Sequence, residues 1–537
     1  MTDLKNRLDL HESNQYSLTE EYYKDVSKVP EKLGIPQKDL GAFYTDKDVV
    51  TYVLKHLEIR KGDVILDPAC GCGSFLFPLY EMANQNNIPN VEDIYGIDID
   101  ERAVTFTRDA IKSIVGSKSD TITTKKILLG DFVFDNFSLE QQKQKNLPLL
   151  DIKKKGGFQY IIGNPPYNIK NITKKKVTLA DPVHRKIAES SKNMPIYFIL
   201  RGIEFLQESG VLVFVLPKSL LFVRKYEGFR KYLLRNFKLI RIAEIGMKFK
   251  DVRGEQIIMF VKKEKPSPES RIEFVSLPKS SLQKDNSSFS VLQSYFFDKI
   301  SIPIFADKEI FGVLDLVDRN SVKLSNFVQI GVFRGLPIRI KETTGNTQIG
   351  NYEAQTLCVR GKDIGKGQLR RLCSFDNQIK EITKLEKLKK PKIIMQNIYS
   401  SESGVISFLD KIGLITSETV TNLWISDLNK LSFVYGLLNS KLINFYIFYS
   451  IFSQSKLTMH LDSHYIAQIP IIWKEENNLV KAIIELSDEI RDIESTELKH
   501  LLSKLDTLVY ELYGLTDDMI IIIEKAMSNV LSKRSMW

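Results

Sequence analysis

Residues 158–169 read FQYIIGNPPYNI, in which Asn164, two prolines and Tyr167 directly follow a run typical of a buried strand. Proline lacks a backbone donor and has a fixed φ, so the strand must end at Asn164 and the next carbonyl groups lie in a stiff, extended turn. The pattern predicts that hydrogen-bond acceptors are positioned beside an aromatic ring. A plain proline turn after a strand is the simpler interpretation.

A glycine loop follows an earlier apolar run in the segment ILDPACGCGSFL, residues 65–76. Gly71 and Gly73 allow a backbone to approach a ligand closely where a parallel sheet places its cofactors. The spacing differs from GxGxxG, so we do not expect a nicotinamide site. Cys70 and Cys72 lack the CxxC pairs and His partners of a zinc site, and we predict no metal.

Two further apolar runs end in groups that suit an adenosine. The run at 94–99 ends in Asp98 and Asp100, and a carboxylate there can accept both hydroxyl hydrogens of a ribose. The run at 126–131 leads into GDFVF, where Asp131 can accept from an exocyclic amine and Phe132 can cover a purine face. Three successive strand ends therefore carry adenosine-compatible groups.

The elements that must position these residues alternate along the chain. Helical segments separate short apolar runs, which predicts an α/β fold with a parallel, doubly wound, Rossmann-like sheet. These runs are VILDPA (64–69), IYGIDI (94–99), KILLGD (126–131), YIIGNP (160–165), VLVFVLP (211–217) and IIMFVKK (257–263). We expect an N-terminal arm (1–40), a catalytic domain (41–265), a connecting segment (266–309) and a mixed α+β domain that ends in long helices (310–537).

Charge and hydropathy limit the partners. The chain has 537 residues and a net charge of +10, which favours an anionic partner such as nucleic acid or a membrane surface. The first residues have no apolar core of a signal peptide, and Asn439, Lys441 and Asn444 interrupt the most apolar stretch (433–452). We expect a cytoplasmic protein without a membrane partner.

Five motifs in one order resemble the gamma class of N6-adenine DNA methyltransferases of restriction-modification systems. They are GAFYTD (41–46), DPACGCGSFL (67–76), YGIDID (95–100), GDF (130–132) and GNPPY (163–167). The stretches VYGLLNSKLINFY (434–446) and IAQIPI (466–471) are similar to target-recognition domains of specificity proteins. The resemblance implies a site-specific adenine methyltransferase with a methyltransferase domain and a C-terminal DNA-recognition domain.

The resemblance also implies S-adenosyl-L-methionine as the cofactor. Thr45 would contact it, Asp98 would hold its ribose, and Asp131 with Phe132 would hold its adenine. The residues that would pass beneath its methionine part are Ala69, Cys70, Gly71, Cys72 and Gly73. The side-chain role of the two cysteines stays open.

The NPPY motif then acquires a chemical role. The Asn164 side-chain carbonyl and the Pro165 main-chain carbonyl can each accept one N6 hydrogen of an adenine and turn its lone pair toward a methyl donor. Pro166 stiffens the turn, and Tyr167 can stack on a base that has been flipped out of duplex DNA. Phe249 is a candidate second stacking residue, although an ordinary core phenylalanine fits as well.

Basic residues are candidates for contacts with double-stranded DNA. Lysines around NPPY could bind phosphates near a flipped base, although solvated lysine loops are common. The candidates are Lys153, Lys154, Lys155, Lys174, Lys175, Lys176, Arg334, Arg339, Arg360, Lys362, Arg370 and Arg371.

Two other functions fit parts of the pattern. The chain could be the modification subunit of a multi-subunit restriction-modification complex, or a protein glutamine methyltransferase, since that family also uses NPPY. The glutamine enzymes are much shorter, and DNA is the better fit. Only 40 residues precede the first motif, too few for a nuclease core, so we predict no DNA cleavage by this chain. A separate restriction endonuclease could act at the same site.

Overall fold

The structure is a computed structural model that describes Gly34 and residues 45–86, 88–116, 119–135, 149–167, 178–247, 254–277, 287–305, 307–338, 340–344, 357–375, 381–491 and 495–530. The chain divides into two compact units, Met1–Ala306 and Asp307–Trp537. Among the described residues, no helix is both long and apolar enough to span a bilayer.

The first unit is built on one large sheet. Its strands are β1 (Ile65–Asp67), β2 (Ile94–Asp98), β3 (Ile127–Leu129), β4 (Phe158–Gly163), β5 (Leu206–Pro217), β6 (Lys238–Gly246), β7 (Gln256–Lys262), β8 (Arg271–Ser276) and β9 (Ser287–Leu292). Its helices are α1 (Lys47–Lys55), α2 (Leu76–Asn86), α3 (Glu101–Val115), α4 (Ser119–Lys126), α5 (Leu149–Lys154), α6 (Pro182–Ser191), α7 (Met194–Phe205) and α8 (Glu227–Asn236).

The strand order is β3-β2-β1-β4-β5-β7-β6-β8-β9. Strands β1 to β5 run parallel, so all five carboxyl ends lie at one edge. This arrangement confirms the predicted α/β fold. Strand β7 departs from the predicted parallel sheet, because it lies between β5 and β6 and is antiparallel to both. A short connection from β6 allows only this direction, since a parallel crossover needs a dozen or more residues.

Apolar burial explains why these segments become strands and helices. All residues of β1 are buried, as are five of the six in β4, which is typical of a parallel sheet covered on both faces. Helix α1 buries Val49, Val50 and Val53 in the same core cluster as Ile162 of β4. The segment just before α1 is thereby held near the carboxyl end of β4.

The second unit contains smaller sheets. Two four-stranded sheets have the orders β11-β19-β15-β17 and β12-β14-β13-β18, and two pairs are β10-β21 and β16-β20. The strands are β10 (Val322–Lys323), β11 (Ile330–Arg334), β12 (Ile340–Thr344), β13 (Leu357–Val359), β14 (Leu372–Phe375), β15 (Lys392–Gln396), β16 (Ile398–Tyr399), β17 (Ser407–Asp410), β18 (Ile415–Thr416), β19 (Val420–Ile425), β20 (Met459–His460) and β21 (Pro470–Ile471).

Helices complete the second unit. They are α9 (Lys308–Asn320), α10 (Leu324–Phe327), α11 (Ile382–Leu388), α12 (Leu428–Asn439), α13 (Lys441–Tyr446), α14 (Ser463–Ile466), α15 (Asn478–Ile490), α16 (Ser495–Leu512) and α17 (Asp517–Val530). A π-helical turn, Ile447–Ile451, continues α13. The apolar stretch 433–452 is buried in this unit, and the long helices at its end match the predicted helical C-terminus.

Candidate active site

The carboxyl end of β1 carries a buried acid that contacts the NPPY strand. Asp67 is 1% exposed, and its Oδ1 accepts a hydrogen bond from the Ala69 N–H at 3.1 Å. A Cβ at Gly163, the last residue of β4, would lie 2.7 Å from the same oxygen, so a larger residue there would have to displace the buried carboxyl group. Burial raises the pKa of Asp67 to about 8, against the Ala69 hydrogen bond and together with the charge of Asp98.

The glycine loop is held on the end of β2. Gly71 and Gly73 have φ values of 48° and 92°, a region that favours glycine. The Gly71 N–H donates to Asp98 Oδ2 at 2.8 Å, and its carbonyl accepts from the Thr107 hydroxyl at 2.8 Å. A Cβ at Gly71 would meet no atom within 4 Å, so the loop borders open space.

Asp98 is already part of a hydrogen-bond network. Its Oδ1 accepts the Asp100 N–H at 2.9 Å, while Oδ2 accepts from the loop. Burial raises the pKa of Asp98, and the backbone hydrogen bonds from Asp100 and Gly71 oppose that shift. Each carboxylate oxygen has two lone pairs, so the side chain keeps capacity for further donors.

The end of β3 forms a tight turn. Asp131 Oδ1 accepts the N–H groups of Val133 and Phe134 at 3.2 and 3.1 Å. Phe132 is 2% exposed, and its ring lies 5.8 and 5.6 Å from the rings of Phe198 and Phe205 on α7. The structure therefore places Asp131 at the edge of the sheet and Phe132 in an aromatic cluster of the interior.

The NPPY turn meets the segment before α1. Asn164 Nδ2 donates to Thr45 Oγ1 at 3.1 Å, although the two residues are 119 positions apart. Thr45 is 3% exposed and Tyr167 is 6% exposed, and burial raises the pKa of Tyr167. In this orientation the amide nitrogen donates to the Thr45 hydroxyl, and the amide oxygen is left as the accepting end.

Comparison with known proteins gives the family of this arrangement. A model of the family N-6 DNA Methylase matches residues 35–330, more than half of the chain. The chain belongs to the N-6 DNA methylase family. A model of the TaqI-like C-terminal specificity domain matches residues 356–471.

Curated Type II methyltransferases match part of this N-6 DNA methylase. It is 27% identical over 227 residues to Type II methyltransferase M.VspI of Vibrio sp. (strain 343), covering 42% of this chain and 48% of that protein. It is 26% identical over 276 residues to Type II methyltransferase M.BsuBI of Bacillus subtilis, covering 50% of this chain and 51% of that protein. The chain spans about half the length of these relatives.

A solved structure shares the fold. A cryo-electron microscopy structure of a DrdV–DNA complex has a TM-score of 0.50 and 14% sequence identity, and covers 87% of this chain and 58% of that chain. At this identity the likeness supports the fold alone.

The residues at the carboxyl edge fit S-adenosylmethionine, the methyl donor that the N-6 DNA methylase family implies. The glycine loop borders open space at Gly71, and Asp98 and Asp131 offer carboxylate oxygens at neighbouring strand ends. Ile99, directly after β2, is 48% exposed and presents an apolar surface at this edge. Carboxylates for hydroxyl and amino groups together with an apolar surface for a ring suit an adenosine.

The structure separates some predicted DNA-binding residues from NPPY. Lys153, Lys154 and Lys155 precede β4, whereas Asn164 follows it, and six residues of strand span roughly 20 Å. Lys153 also lies 4.9 Å from the centre of the Phe205 ring, and burial lowers its pKa. These lysines therefore do not lie beside the predicted base pocket.

The predicted basic residues of the second unit differ in how exposed and how free of ion pairs they are for contact with DNA. Asp363 holds the guanidinium of Arg360 at two nitrogens, and burial lowers the pKa of Arg370. Lys362 and Arg371 are exposed, as is Arg334 at the end of β11. Five of the predicted site residues lie outside the described residues, namely Lys174, Lys175, Lys176, Phe249 and Arg339.

The sequence interpretation missed three groups at the carboxyl edge. Asp67, the last residue of β1, and Ile99, directly after β2, were recognisable only by their positions at strand ends. Lys218, directly after β5, is 1% exposed and lies 2.5 Å from Glu244 Oε1 and 3.8 Å from Glu255 Oε1. Lys218 thus connects the end of β5 to the residues on either side of the β6–β7 connection. A polar residue after a buried apolar strand was the available signal.

A cavity of about 490 Å³ opens at the opposite edge of the same sheet. Its lining includes His56, Tyr160, Arg241, Phe260 and Glu273, which lie toward the amino ends of the parallel strands. Arg241 forms an ion pair there with Glu273 at 2.7 Å and donates a hydrogen bond to the Tyr52 hydroxyl at 3.1 Å. This cavity is separate from the candidate active site.

Proposed function

We propose that this chain is a site-specific DNA methyltransferase that methylates N6 of adenine in duplex DNA, with S-adenosylmethionine as the methyl donor. The observation that carries the proposal is the hydrogen bond between Asn164 and Thr45 at the carboxyl edge of the sheet. It joins the amide of the NPPY turn to the segment predicted to contact the cofactor.

The NPPY turn supplies the polar contacts that this reaction needs. An adenine amino group is a weak nucleophile because its lone pair is delocalised into the ring. The Asn164 side-chain oxygen and the Pro165 carbonyl each accept one N6 hydrogen, which favours a more tetrahedral nitrogen and orients its lone pair. When bound, S-adenosylmethionine supplies an electrophilic methyl group. Pro166 adds no competing donor and keeps the acceptors in place.

The target adenine must leave the helix to reach this turn. Extrusion of a base from a duplex costs a few kcal/mol, which contacts in the pocket must offset. Tyr167 stacks on the extruded base in this proposal, and Phe249 is its candidate partner. Tyr167 is 6% exposed, so binding must uncover one face of its ring.

We assign cofactor binding to the edge formed by β1, β2 and β3. Asp98 holds the ribose hydroxyls and Asp131 accepts from the adenine amino group, while Ala69, Cys70, Gly71 and Gly73 form the loop beneath the methionine part. Ile99 takes the apolar contact with the adenine that the sequence suggested for Phe132, because Ile99 is 48% exposed and Phe132 only 2%. Thr45 is the remaining residue assigned to the cofactor, and its hydroxyl accepts a hydrogen bond from the Asn164 amide.

The second unit recognises the DNA sequence in this proposal. The match to a TaqI-like specificity domain supports recognition by the same chain, in preference to a modification subunit that depends on another protein for specificity. The net charge of +10 is consistent with a polyanionic partner. A separate restriction endonuclease that cuts the same sequence would complete a restriction-modification pair.

Sequencing of genomic DNA tests the function. DNA from a host that expresses the chain should carry N6-methyladenine at one recurring sequence, and single-molecule sequencing reports both the base and its context. DNA from a host expressing Asn164→Ala should lack the mark. Absence of the mark with the parent chain, or methylation of cytosine instead, would overturn the proposal.

A further inference from the structure

Arg334, Asn397 and His460 form a surface cluster in the second unit, which we call the Arg-Asn-His cluster. Arg334 is the last residue of β11 and lies opposite Thr421 of β19, while Asn397 follows β15. Strands β11 and β15 are both antiparallel to β19, so Arg334 and Asn397 lie at the same end of one sheet. His460, in β20, is paired with Ile398 directly after Asn397.

The backbone of Asn397 is held from two sides. Its N–H donates to the Thr419 carbonyl at 3.2 Å, and its carbonyl accepts the Leu461 N–H at 3.0 Å. The residue is only 6% exposed. Because neighbouring chain segments fix its backbone, its amide has a defined position from which to hold other side chains.

The side chain of Asn397 connects the other members. In the amide orientation that satisfies the neighbouring donors and acceptors, the nitrogen donates to Thr421 Oγ1 at 3.3 Å and the oxygen accepts from His460 Nδ1 at 3.2 Å. The same oxygen accepts from both terminal nitrogens of Arg334, at 3.2 and 3.3 Å. One buried amide therefore orients two exposed side chains that carry opposite hydrogen-bonding functions.

Arg334 keeps donors for a ligand. Its guanidinium has five N–H groups, and within the described part of the chain no carboxylate forms an ion pair with it. Arg360 differs, because Asp363 occupies its fork. Because the two terminal nitrogens of Arg334 face Asn397, the edge formed by Nε–H and the neighbouring outer N–H remains to donate to the O6 and N7 acceptors of guanine in the major groove.

His460 adds an acceptor. When Nδ1 donates to Asn397, the neutral ring has its lone pair on Nε2. An acceptor suits the amino groups of cytosine or adenine, but a phosphate offers no donor to it. Ile398, which is 53% exposed, adds an apolar group of the kind that contacts a thymine methyl. The combination therefore favours base edges over the phosphate backbone.

We propose that Arg334 and His460 read base edges in the major groove of the target sequence, and that Asn397 is the positioning residue that holds both. The inference rests on the proposed function, because it takes duplex DNA as the ligand. It assigns sequence reading to this cluster and leaves phosphate contacts to residues such as Arg371.

Binding selection tests the cluster without reference to methyl transfer. The full chain is used to select duplexes from a random pool, and the affinity is then measured for the selected duplex and for copies with each base pair replaced singly. Arg334→Met should reduce the discrimination at one G·C pair by roughly tenfold or more, with other positions unchanged. His460→Leu should do the same at a different base, and Asn397→Ala at both.

Arg371→Met is the matched control, since Arg371 is an exposed arginine outside the cluster. It should weaken binding to every duplex equally and lower the salt slope by about one. A uniform loss for Arg334→Met would instead identify a phosphate contact and overturn the inference. Loss of discrimination at every position by Asn397→Ala, together with a lowered melting temperature, would also count against it.

The two proposals can fail separately. A parent chain that selects a sequence but methylates no adenine would refute the proposed function and leave the cluster assignment standing. A chain that methylates one sequence, and whose three cluster variants discriminate as the parent does, would refute the cluster assignment alone.

Discussion

Asn164 and Thr45 are joined by a 3.1 Å hydrogen bond, which connects the turn after β4 to the residues that lead into α1. Both ends of the bond are held by buried structure. Val49 and Val53 anchor α1 in the core, and Gly163 packs against Asp67 just before Asn164. The predicted base-binding amide is therefore oriented by a residue of the predicted cofactor motif.

Replacement of Asn164 should stop methyl transfer. Asn164→Ala removes a preorganised acceptor, and the loss of one such contact typically lowers the rate ~10²-fold to 10³-fold. DNA binding should persist, because recognition is assigned to the second unit. Tritium transfer to a duplex and filter binding in parallel measure the two quantities. A folded variant with nearly the parental rate would mean that the turn has no catalytic role.

Thr45→Val tests the orienting hydrogen bond. Valine keeps the shape but removes Oγ1, so the hydrogen bond that Asn164 Nδ2 donates to Thr45 is lost. A neutral hydrogen bond contributes about 0.5 to 1.5 kcal/mol, which predicts a kcat lower by roughly twofold to tenfold. Thr45→Ser keeps the hydroxyl and is the control. In an Asn164→Ala background, Thr45→Val should lower kcat no further, and additive losses would contradict the coupling.

The parallel strands could be predicted because each is a short, continuous apolar run. Strand β4, for example, begins at Phe158 and its predicted run spans 160–165. Strand β6 was missed, because Arg241 and Glu244 interrupt its apolar residues. These two polar residues lie toward neighbouring elements, where Arg241 pairs with Glu273 and Glu244 with Lys218. A sequence pattern cannot show which polar residues a neighbouring element will satisfy.

Site residues could be predicted from the sequence only where a polar side chain lies at the carboxyl end of a predicted strand. Asp98 and Asp131 lie at the carboxyl edge because parallel strands share it, whereas Phe132 turned inward to pack on α7. Arg334 was predicted as a DNA-binding residue, but its contact with Asn397 had no sequence signal, since strands separated by long segments bring the two residues together. Contacts of this kind depend on strand register, which local periodicity does not define.

Asp98→Ala should weaken S-adenosylmethionine binding. The loss of hydrogen bonds to a carboxylate predicts roughly 1 to 3 kcal/mol, and the glycine loop also loses the acceptor for the Gly71 N–H. Asp98→Asn keeps the shape and one acceptor, so its loss should be smaller. Titration calorimetry measures both affinities. Parental affinity in the alanine variant would reject the assignment of Asp98 to the cofactor.

Lys392→Met should destabilise the second unit. The Lys392 ammonium forms a fully buried ion pair with Asp410 and also donates to the carbonyls of Leu388 and Leu414, at 2.6 and 2.9 Å. Removal of one partner leaves a buried charge, which typically costs about 3 to 5 kcal/mol. Tryptophan fluorescence can follow the urea unfolding, because all three tryptophans of the chain lie after residue 306.

An exposed ion pair provides the control for Lys392. Lys481 and Glu476 lie 3.5 Å apart, with side chains that are 54% and 94% exposed. Solvent screens such a pair, so Lys481→Met should change little. Similar losses for the two lysine variants would show that burial of the Lys392–Asp410 pair has no special effect on stability.

The raised pKa of Asp67 predicts that the stability of the first unit depends on pH. Burial raises its pKa from 3.8 to about 8, so between these values the folded chain holds a proton that the unfolded chain has lost. This group therefore lowers the unfolding free energy by about 1.4 kcal/mol for each unit that the pH rises within the window, and by no more above it. Asp67→Asn abolishes the titration, so the stability of the variant relative to the parent should increase with pH from about 5 to 7. Hydrogen exchange of β1 peptides in a urea series measures this difference, and parallel curves for the two proteins would show that Asp67 is ionised in the folded chain.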